Sequence, residues 1–203
     1  FLNDDGINEI IIDNHKLSLS SDGWTLLSKN TIRFDVLSNF VGIPIDGLLG
    51  YDFFIQHDII IDLINYEMIF DTSSDNFDCV DINFFMNTPI VNFEIQGIQL
   101  KAIFDTGSMY SIINSNFCDI LSSKNESIKD YNPVLGSFDA DLYRGDIIIG
   151  NTLINNCTIA CSPQYDIAMN MMVGQDINGF LGMESLNGKR VFLSYKNQRL
   201  GIR

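Results

Sequence analysis

One short unit occurs twice in this chain. DGLLGYDFF at 46–54 aligns with NGFLGMESL at 178–186, an offset of 132 (182 minus 50, taken at the second glycine of each copy). The agreement runs on without a gap, IIIDLINYEMIF (59–70) falling on VFLSYKNQRLGI (191–202), with Asn65 on Asn197. Each copy reads as apolar–apolar–Gly, a short helix, then two β-branched and aromatic runs around an Asn-centred turn, the pattern of a hairpin. Upstream, NEIIIDNHKL (8–17) resembles GDIIIGNTLI (145–154) at an offset of 137 (147 minus 10), so the repeat extends backward with one small change of length. A chain of this kind is expected to fold as two related halves. The polar, turn-rich TSSDNFDCVD (72–81) is the expected linker between them.

Strands are expected at 10–12, 31–36, 59–63, 90–95, 100–104, 147–149 and 191–195, where β-branched and aromatic residues run between Gly, Asn and Asp. Helical spacing is confined to 51–56 and 115–122. The expected fold class is therefore all-β, and 203 residues with 46% hydrophobic content suffice for a packed core. Twenty-six acidic against twelve basic side chains leave a formal charge of −14, which repels a phosphate backbone and argues against a nucleic-acid partner. No apolar run approaches the roughly 18 residues of a membrane-spanning helix, and FLNDDGINEI lacks the basic head and apolar core of a signal segment.

Metal and thiol chemistry find little to work with. The two histidines are His15 and His57, and Cys79, Cys118, Cys157 and Cys161 form no C-x-x-C pair. Cys157 and Cys161 sit four apart on an expected strand, roughly 13 Å along one face, too far to bond each other. Buried free thiols and one disulfide to Cys118 or Cys79 both remain open. FDADLYRGD (138–146) has the Asp139 and Asp141 of a calcium loop, but its Gly comes one position late and Gly150 stands where the closing Glu belongs. No metal and no cofactor are expected. Asp46 and Asp62 read as turn and surface acids, His57 as a helix-end polar residue, and MNMMVG (169–174) as core filling or a peptide-facing surface.

The chemistry-bearing stretch is FDTGS at 104–108, preceded by KAI and followed by MYSII. A carboxylate activates water only when its charge is held in place, and two carboxyls buried side by side make one keep its proton. That requires an Asp at the end of an apolar strand, a hydroxyl beside it and a Gly that lets backbone fold close beneath. Asp105, Thr106, Gly107 and Ser108 supply those types in that order.

On AIFDTGSMYSII (102–113) together with GLLGYDFF (47–54) and GFLGMESL (179–186), the chain resembles the aspartic peptidases, in particular the bacterial two-lobe relatives of retropepsins and pepsins. The resemblance implies an acid-protease fold of two related β lobes. Residues 1–74 would be the rear of an incomplete first lobe, and 75–203 a complete second lobe. It implies that Asp105 is one of two catalytic aspartates holding the attacking water, that Ser108 hydrogen-bonds its outer oxygen, and that Thr106 ties two active-site loops together. Gly107 would point its N–H at the carboxylates, and Gly50 and Gly182 would pass beneath the loops. Tyr143 and Tyr131, in the region of the hairpin facing the cleft, would be candidates for substrate contact or ordinary packed tyrosines. The partner would be a polypeptide substrate, and an exported setting fits the resemblance although the residues themselves leave the compartment open. One element of the pattern is missing: no second D-[ST]-G occurs in these residues. The second carboxylate would come from the front of the first lobe, ahead of Phe1, or from another copy of the chain. A non-catalytic peptide-binding protein on the same fold is the rival from a different class. The single-chain reading predicts a D-[ST]-G after an apolar run about 30 residues ahead of Phe1, from the repeat offset. The upstream gene sequence checks this, and its absence would favour the two-copy or non-catalytic alternative.

Overall fold

The structure, a computed structural model, describes residues 9–12, 15–18, 34–44, 50–122, 124–132, 135–173 and 176–203. The protein is mostly β. In chain order the elements are β1 (Glu9–Ile12), β2 (His15–Ser18), α1 (Phe34–Val41), α2 (Tyr51–Phe54), β3 (Ile59–Asp62), β4 (Glu67–Phe70), β5 (Asp78–Asp81), β6 (Asn83–Phe85) and β7 (Thr88–Ile95). They continue with β8 (Ile98–Phe104), β9 (Ser111–Ile113), β10 (Glu126–Asn132), β11 (Gly136–Ile149), β12 (Thr152–Cys161), α3 (Pro163–Val173), β13 (Gly179–Leu181), β14 (Arg190–Ser194) and β15 (Arg199–Ile202). Short 3-10 turns lie at Ser115–Ile120 and Met183–Leu186. Among the described residues no helix is long and apolar enough to cross a membrane.

Strands β6 to β13 build an eight-stranded sheet in the order β10-β11-β12-β9-β13-β8-β7-β6. Period-two alternation gives the sheet two buried faces. Leu100, Ala102, Phe104, Ile113, Ile159 and Leu181 point into one apolar cluster, while Ile103, Ile112, Ala160 and Phe180 point into or pack against a second on the other side. A fully buried aliphatic or aromatic side chain contributes roughly 1.5–3 kcal/mol. The Cys118–Cys161 disulfide joins the 3-10 turn after β9 to the end of β12, with Cα atoms 6.5 Å apart, and resolves the choice the sequence left open. Cys157 is free and buried, and Cys79 is free and half-buried.

The second sheet, β4-β3-β14-β15-β5, joins the two copies of the repeat. Its centre is the antiparallel pairing of β3 with β14, in which Ile60 stands opposite Phe192. Those two residues are also equivalent under the 132-residue offset, so the pairing has the register of a local two-fold axis through that point. The same offset relates other features. Gly50 and Gly182 each precede a short helical turn with nearly the same extended backbone, φ −105° and ψ −167° against φ −92° and ψ 168°. Helix α1 maps onto the last eight residues of α3, with Val41 on Val173. In the upstream repeat Ile10↔Leu17 and Ile12↔His15 match Ile147↔Ile154 and Ile149↔Thr152 at the offset of 137. Residues 45–49, Asp46 among them, lie outside the described residues.

Three expectations need correction. The predicted strand at 31–36 is helical from Phe34 onward, because the apolar residues at 34, 37, 40 and 41 have helical spacing, which outweighed β-branched composition. The linker 72–81 ends in a strand, Asp78–Asp81, recruited because β15 offers it a free edge. Asp62 is not a surface acid but is 1% exposed. Its Oδ1 accepts the N–H groups of Ile64 and Asn65 at 2.9 and 3.0 Å, its Oδ2 accepts the Asn65 amide at 2.9 Å, and Arg190 Nε lies 2.7 Å away. In the second copy Ser194 takes the same place, its hydroxyl accepting the N–H of Asn197 at 3.0 Å.

Burial of Asp62 opposes its ionisation, but the Asn65 and Ile64 hydrogen bonds and the Arg190 charge outweigh it and hold its carboxyl below the usual carboxylate range. A carboxyl with a depressed folded pKa stabilises the fold above its unfolded pKa, near 4, and that contribution is lost as pH falls through the folded value. Asp62→Asn is therefore expected to be less stable than the parent at pH 7, with the gap closing toward pH 3. Urea midpoints across that range measure this, and a constant gap would show that charge is not what Asp62 supplies.

Candidate active site

Asp105 follows directly on β8, whose last residue, Phe104, is in the first cluster. The loop after it turns at once: the Ser108 N–H donates to the Asp105 carbonyl at 3.2 Å, and the Gly107 N–H donates to Asp105 Oδ1 at 2.9 Å. A Cβ on Gly107 would lie 3.2 Å from that same oxygen, so glycine keeps the approach open. Asp105 is half-buried, whereas Thr106 and Gly107 are exposed. The loop thus presents its backbone outward and holds its carboxylate against the protein.

Beneath it runs β13, threaded between β8 (parallel) and β9 (antiparallel). The Asp105 N–H donates to the Leu181 carbonyl at 3.1 Å, the Met183 N–H to Ser108 O at 3.0 Å, the Glu184 N–H to Met109 O at 2.8 Å, and the Gly182 N–H to Ser111 Oγ at 3.1 Å. Three main-chain hydrogen bonds thereby fix the loop to residues 181–184 below it, and the fourth ties Gly182 to β9. The approach is so close that a Cβ on Gly182 would lie 2.3 Å from the Tyr110 carbonyl oxygen, and one on Gly179 would lie 2.1 Å from that of Ile112. Both glycines of G-F-L-G are required by backbone contact. Of the two, sequence reasoning assigned a role only to Gly182.

On the side of the second cluster, Tyr165 of α3 is 5% exposed and packs against Phe138 and Phe180, with ring centroids 5.1 and 5.5 Å away. Burial pushes its phenol pKa up, and the nearby charges of Asp105 and then Asp130 push it further. Its helix starts where it does because Ser162 caps it, accepting the Tyr165 N–H at 3.4 Å, with Pro163 at the first helical position. Asp166 binds the N–H and hydroxyl of Ser115, and the disulfide adds a covalent tie nearby. The Ser-Pro start was a readable signal for this helix, but sequence reasoning missed both α3 and Tyr165. The methionine run 169–174 lies partly within it, Met169 being buried in the second cluster.

Other candidates are placed differently from the expectation. The Ser108 hydroxyl donates to the Tyr110 carbonyl at 2.8 Å, not to Asp105, because the turn aims it along the loop. The Thr106 hydroxyl has no hydrogen bond among the described residues. Tyr143 packs against the first cluster, across the sheet from Tyr165, so the structure gives it a packing role. Tyr131, half-buried at the end of β10, stands 5.4 Å from the Phe40 ring of α1, and the β10–β11 hairpin therefore reaches the first copy of the repeat. His57 Nδ1 donates to Asp71 Oδ1 at 2.9 Å, and its ring packs against those of Phe53 and Phe70, each 5.7 Å away. Asp141 is paired with Lys124 at 2.6 Å and accepts from Ser127 at 2.8 Å, a strand-surface role.

No protein-family model matches the chain, and no curated protein matches it.

Burial raises the Asp105 carboxyl pKa above its ordinary value, partly offset by the Gly107 and Ser108 N–H groups. A carboxyl with a raised folded pKa costs stability once it ionises, and that cost vanishes below the unfolded value. Asp105→Asn is thus expected to melt higher than the parent at pH 7, the difference shrinking toward pH 3. Thermal melts at both pH values check it. An Asn variant that melts lower at neutral pH would mean the ionised carboxylate holds the loop together.

Proposed function

We propose that this protein is an aspartic endopeptidase of the two-lobe kind, hydrolysing peptide bonds in an extended polypeptide. The observation that carries the reading is the seating of Asp105: a half-buried carboxylate held by a glycine N–H, on a loop pinned to a glycine-bearing strand, with its Thr106–Gly107 side open. Paired with a second aspartate, Asp105 would share one proton. The ionised carboxyl takes a proton from the water as its oxygen attacks the carbonyl carbon, while the neutral carboxyl gives its proton to the carbonyl oxygen. The tetrahedral diol then collapses: one of its hydroxyls returns a proton to the carboxylate just ionised as the C–N bond breaks, and the leaving nitrogen takes the proton that the other carboxyl gained from the water.

The second aspartate would lie ahead of Phe1, in the front of the lobe whose rear is residues 1–74; residues 75–203 would form the other lobe. Pairing with a second copy of the chain is less favoured for one reason. The local two-fold through Ile60 and Phe192 already joins the Asp105 unit to a related unit within the same chain. The buried Cys118–Cys161 cross-link suits an oxidising compartment, and an exported enzyme is part of this proposal.

The test is peptide hydrolysis by the full-length protein. A bell-shaped rate profile on the acidic side of neutrality is expected, with Asp105→Asn lowering kcat by about 10²-fold or more. Undiminished activity in that variant removes Asp105 from the reaction, and a profile flat into alkaline pH removes the shared-proton pair.

A further inference from the structure

Gly182 stands where the pairing of β13 with β9 has run out. The ladder goes from Gly179 opposite Ile113 to Phe180 opposite Ile112, and just beyond it the Gly182 N–H donates to a side chain instead, Ser111 Oγ at 3.1 Å. Ser111 Oγ lies 2.7 Å from Ser185 Oγ. The Ser185 hydroxyl in turn bonds to the Cys157 sulfur, and the Cys157 thiol donates to the Ile154 carbonyl at 3.4 Å. Counting protons fixes the direction. The thiol proton goes to Ile154 and the Ser185 proton to Cys157, so Ser185 Oγ accepts and the Ser111 hydroxyl donates to it. One buried chain of donors thus runs from Gly182 into β12, with Ser111, Ser185 and Cys157 only 2, 4 and 3% exposed. Beside it, Thr158 of β12 gives its N–H and its hydroxyl to the Glu184 carboxylate, at 3.2 and 2.8 Å. Side chains of β9 and β12 therefore grip residues 182–185, and the N–H groups of Met183 and Glu184 hold the Asp105 loop by its Ser108 and Met109 carbonyls.

The repeat shows that the fold does not call for a hydroxyl at position 185. At the 132-residue offset Ser185 falls on Phe53, which is buried and packs against the rings of Phe54 and Phe70. Replacing both partners of a buried hydrogen bond by apolar groups of the same shape is close to neutral for stability, whereas a satisfied polar pair fixes one geometry. We propose that the Ser111–Ser185 hydroxyl pair is a positioning element for Asp105. It sets where Gly182 lies beneath the loop and, through Met183 and Glu184, where the loop carbonyls lie, so that the carboxyl keeps the alignment its reaction needs. Both serines act through the backbone of Gly182 and touch no reacting atom. The effect on rate rests on the peptidase reading; the hold on the loop does not.

Steady-state peptide cleavage and amide hydrogen exchange test this on the full-length protein, the parent beside Ser111→Ala, Ser185→Ala and the double variant. Each single variant is expected to lower kcat about 10-fold or more with KM within about 2-fold, because alignment is lost and binding is not. The double variant should be no slower than the slower single, since the two hydroxyls act as one unit. Ser185→Ala decides the matter should Ser111→Ala fail to fold, because Phe53 shows that this place accepts an apolar side chain. Unchanged kcat in Ser185→Ala overturns the proposal, as do losses that multiply in the double variant. A parent that cleaves no peptide counts against the peptidase reading alone, and exchange then decides. Amides of residues 105–109 are expected to exchange about 10-fold faster in Ser185→Ala than in the parent, with those of 90–95 unchanged. Equal exchange at 105–109 in the two proteins overturns the proposal, as does a rise shared equally by 90–95, which would mean a general loss of stability.

Discussion

The loop carrying Asp105 depends on one close contact between two stretches of backbone. Gly182 brings its main chain to a distance from the Tyr110 carbonyl that no side chain permits, and three main-chain hydrogen bonds then lock the loop to residues 181–184. A loop held only by its own turn would be free to change shape when its carboxylate gains or loses a proton. Here the turn is fastened from below by main-chain groups that do not titrate. Rigidity of this kind is what a positioned acid or base needs, because small displacements of a reacting group are expensive in rate.

The electrostatics follow from the same arrangement. The carboxylate is half-buried because β8 delivers it against the protein rather than into solvent, and burial favours its neutral form. Two backbone N–H groups pull in the opposite direction. Tyr165, placed by a Ser162 cap and tied through Asp166 and the disulfide-linked segment, lies in the cluster on that side of the sheet and feels the Asp105 charge. Asp62 is the contrasting case. It is more deeply buried by exposure, yet it is held ionised, because its turn supplies three hydrogen-bond donors and Arg190 supplies a countercharge. Two aspartates in one chain are thus pushed in opposite directions by the number of donors each can reach.

The two-fold relationship explains why the chain can afford a sheet made from both copies. When a hairpin pairs with its own equivalent, the same alternation of buried residues serves both sides, and Ile60 meets Phe192 as each would meet itself. Aromatic contacts extend the junction: Tyr195 of the second copy stacks with Phe54 of the first at 6.1 Å and with Phe84 at 5.1 Å.

The β character, the repeat and the Asp-Thr-Gly-Ser loop were legible in the residues because each is written locally, in alternation, in turn residues and in a fixed offset. The hairpin at 59–70 and the short helical turn after Gly50 were readable for that reason. Helix α1 was misread because its composition is β-like while its spacing is helical, and Asp62 was misread because burial depends on what packs around a turn. The disulfide partner, the Ser108 hydroxyl's acceptor and the closeness of Tyr165 to Asp105 involve groups 2 to 60 positions apart. Their distances are set by how strands cross. Sequence by itself determined that the chain repeats and that an Asp-Thr-Gly-Ser turn follows an apolar strand. Only the tertiary structure decided that Gly182 lies in contact with the loop and Gly179 with β9, and that Asp105 is half-buried, because each is a matter of which groups come within a few ångströms of one another.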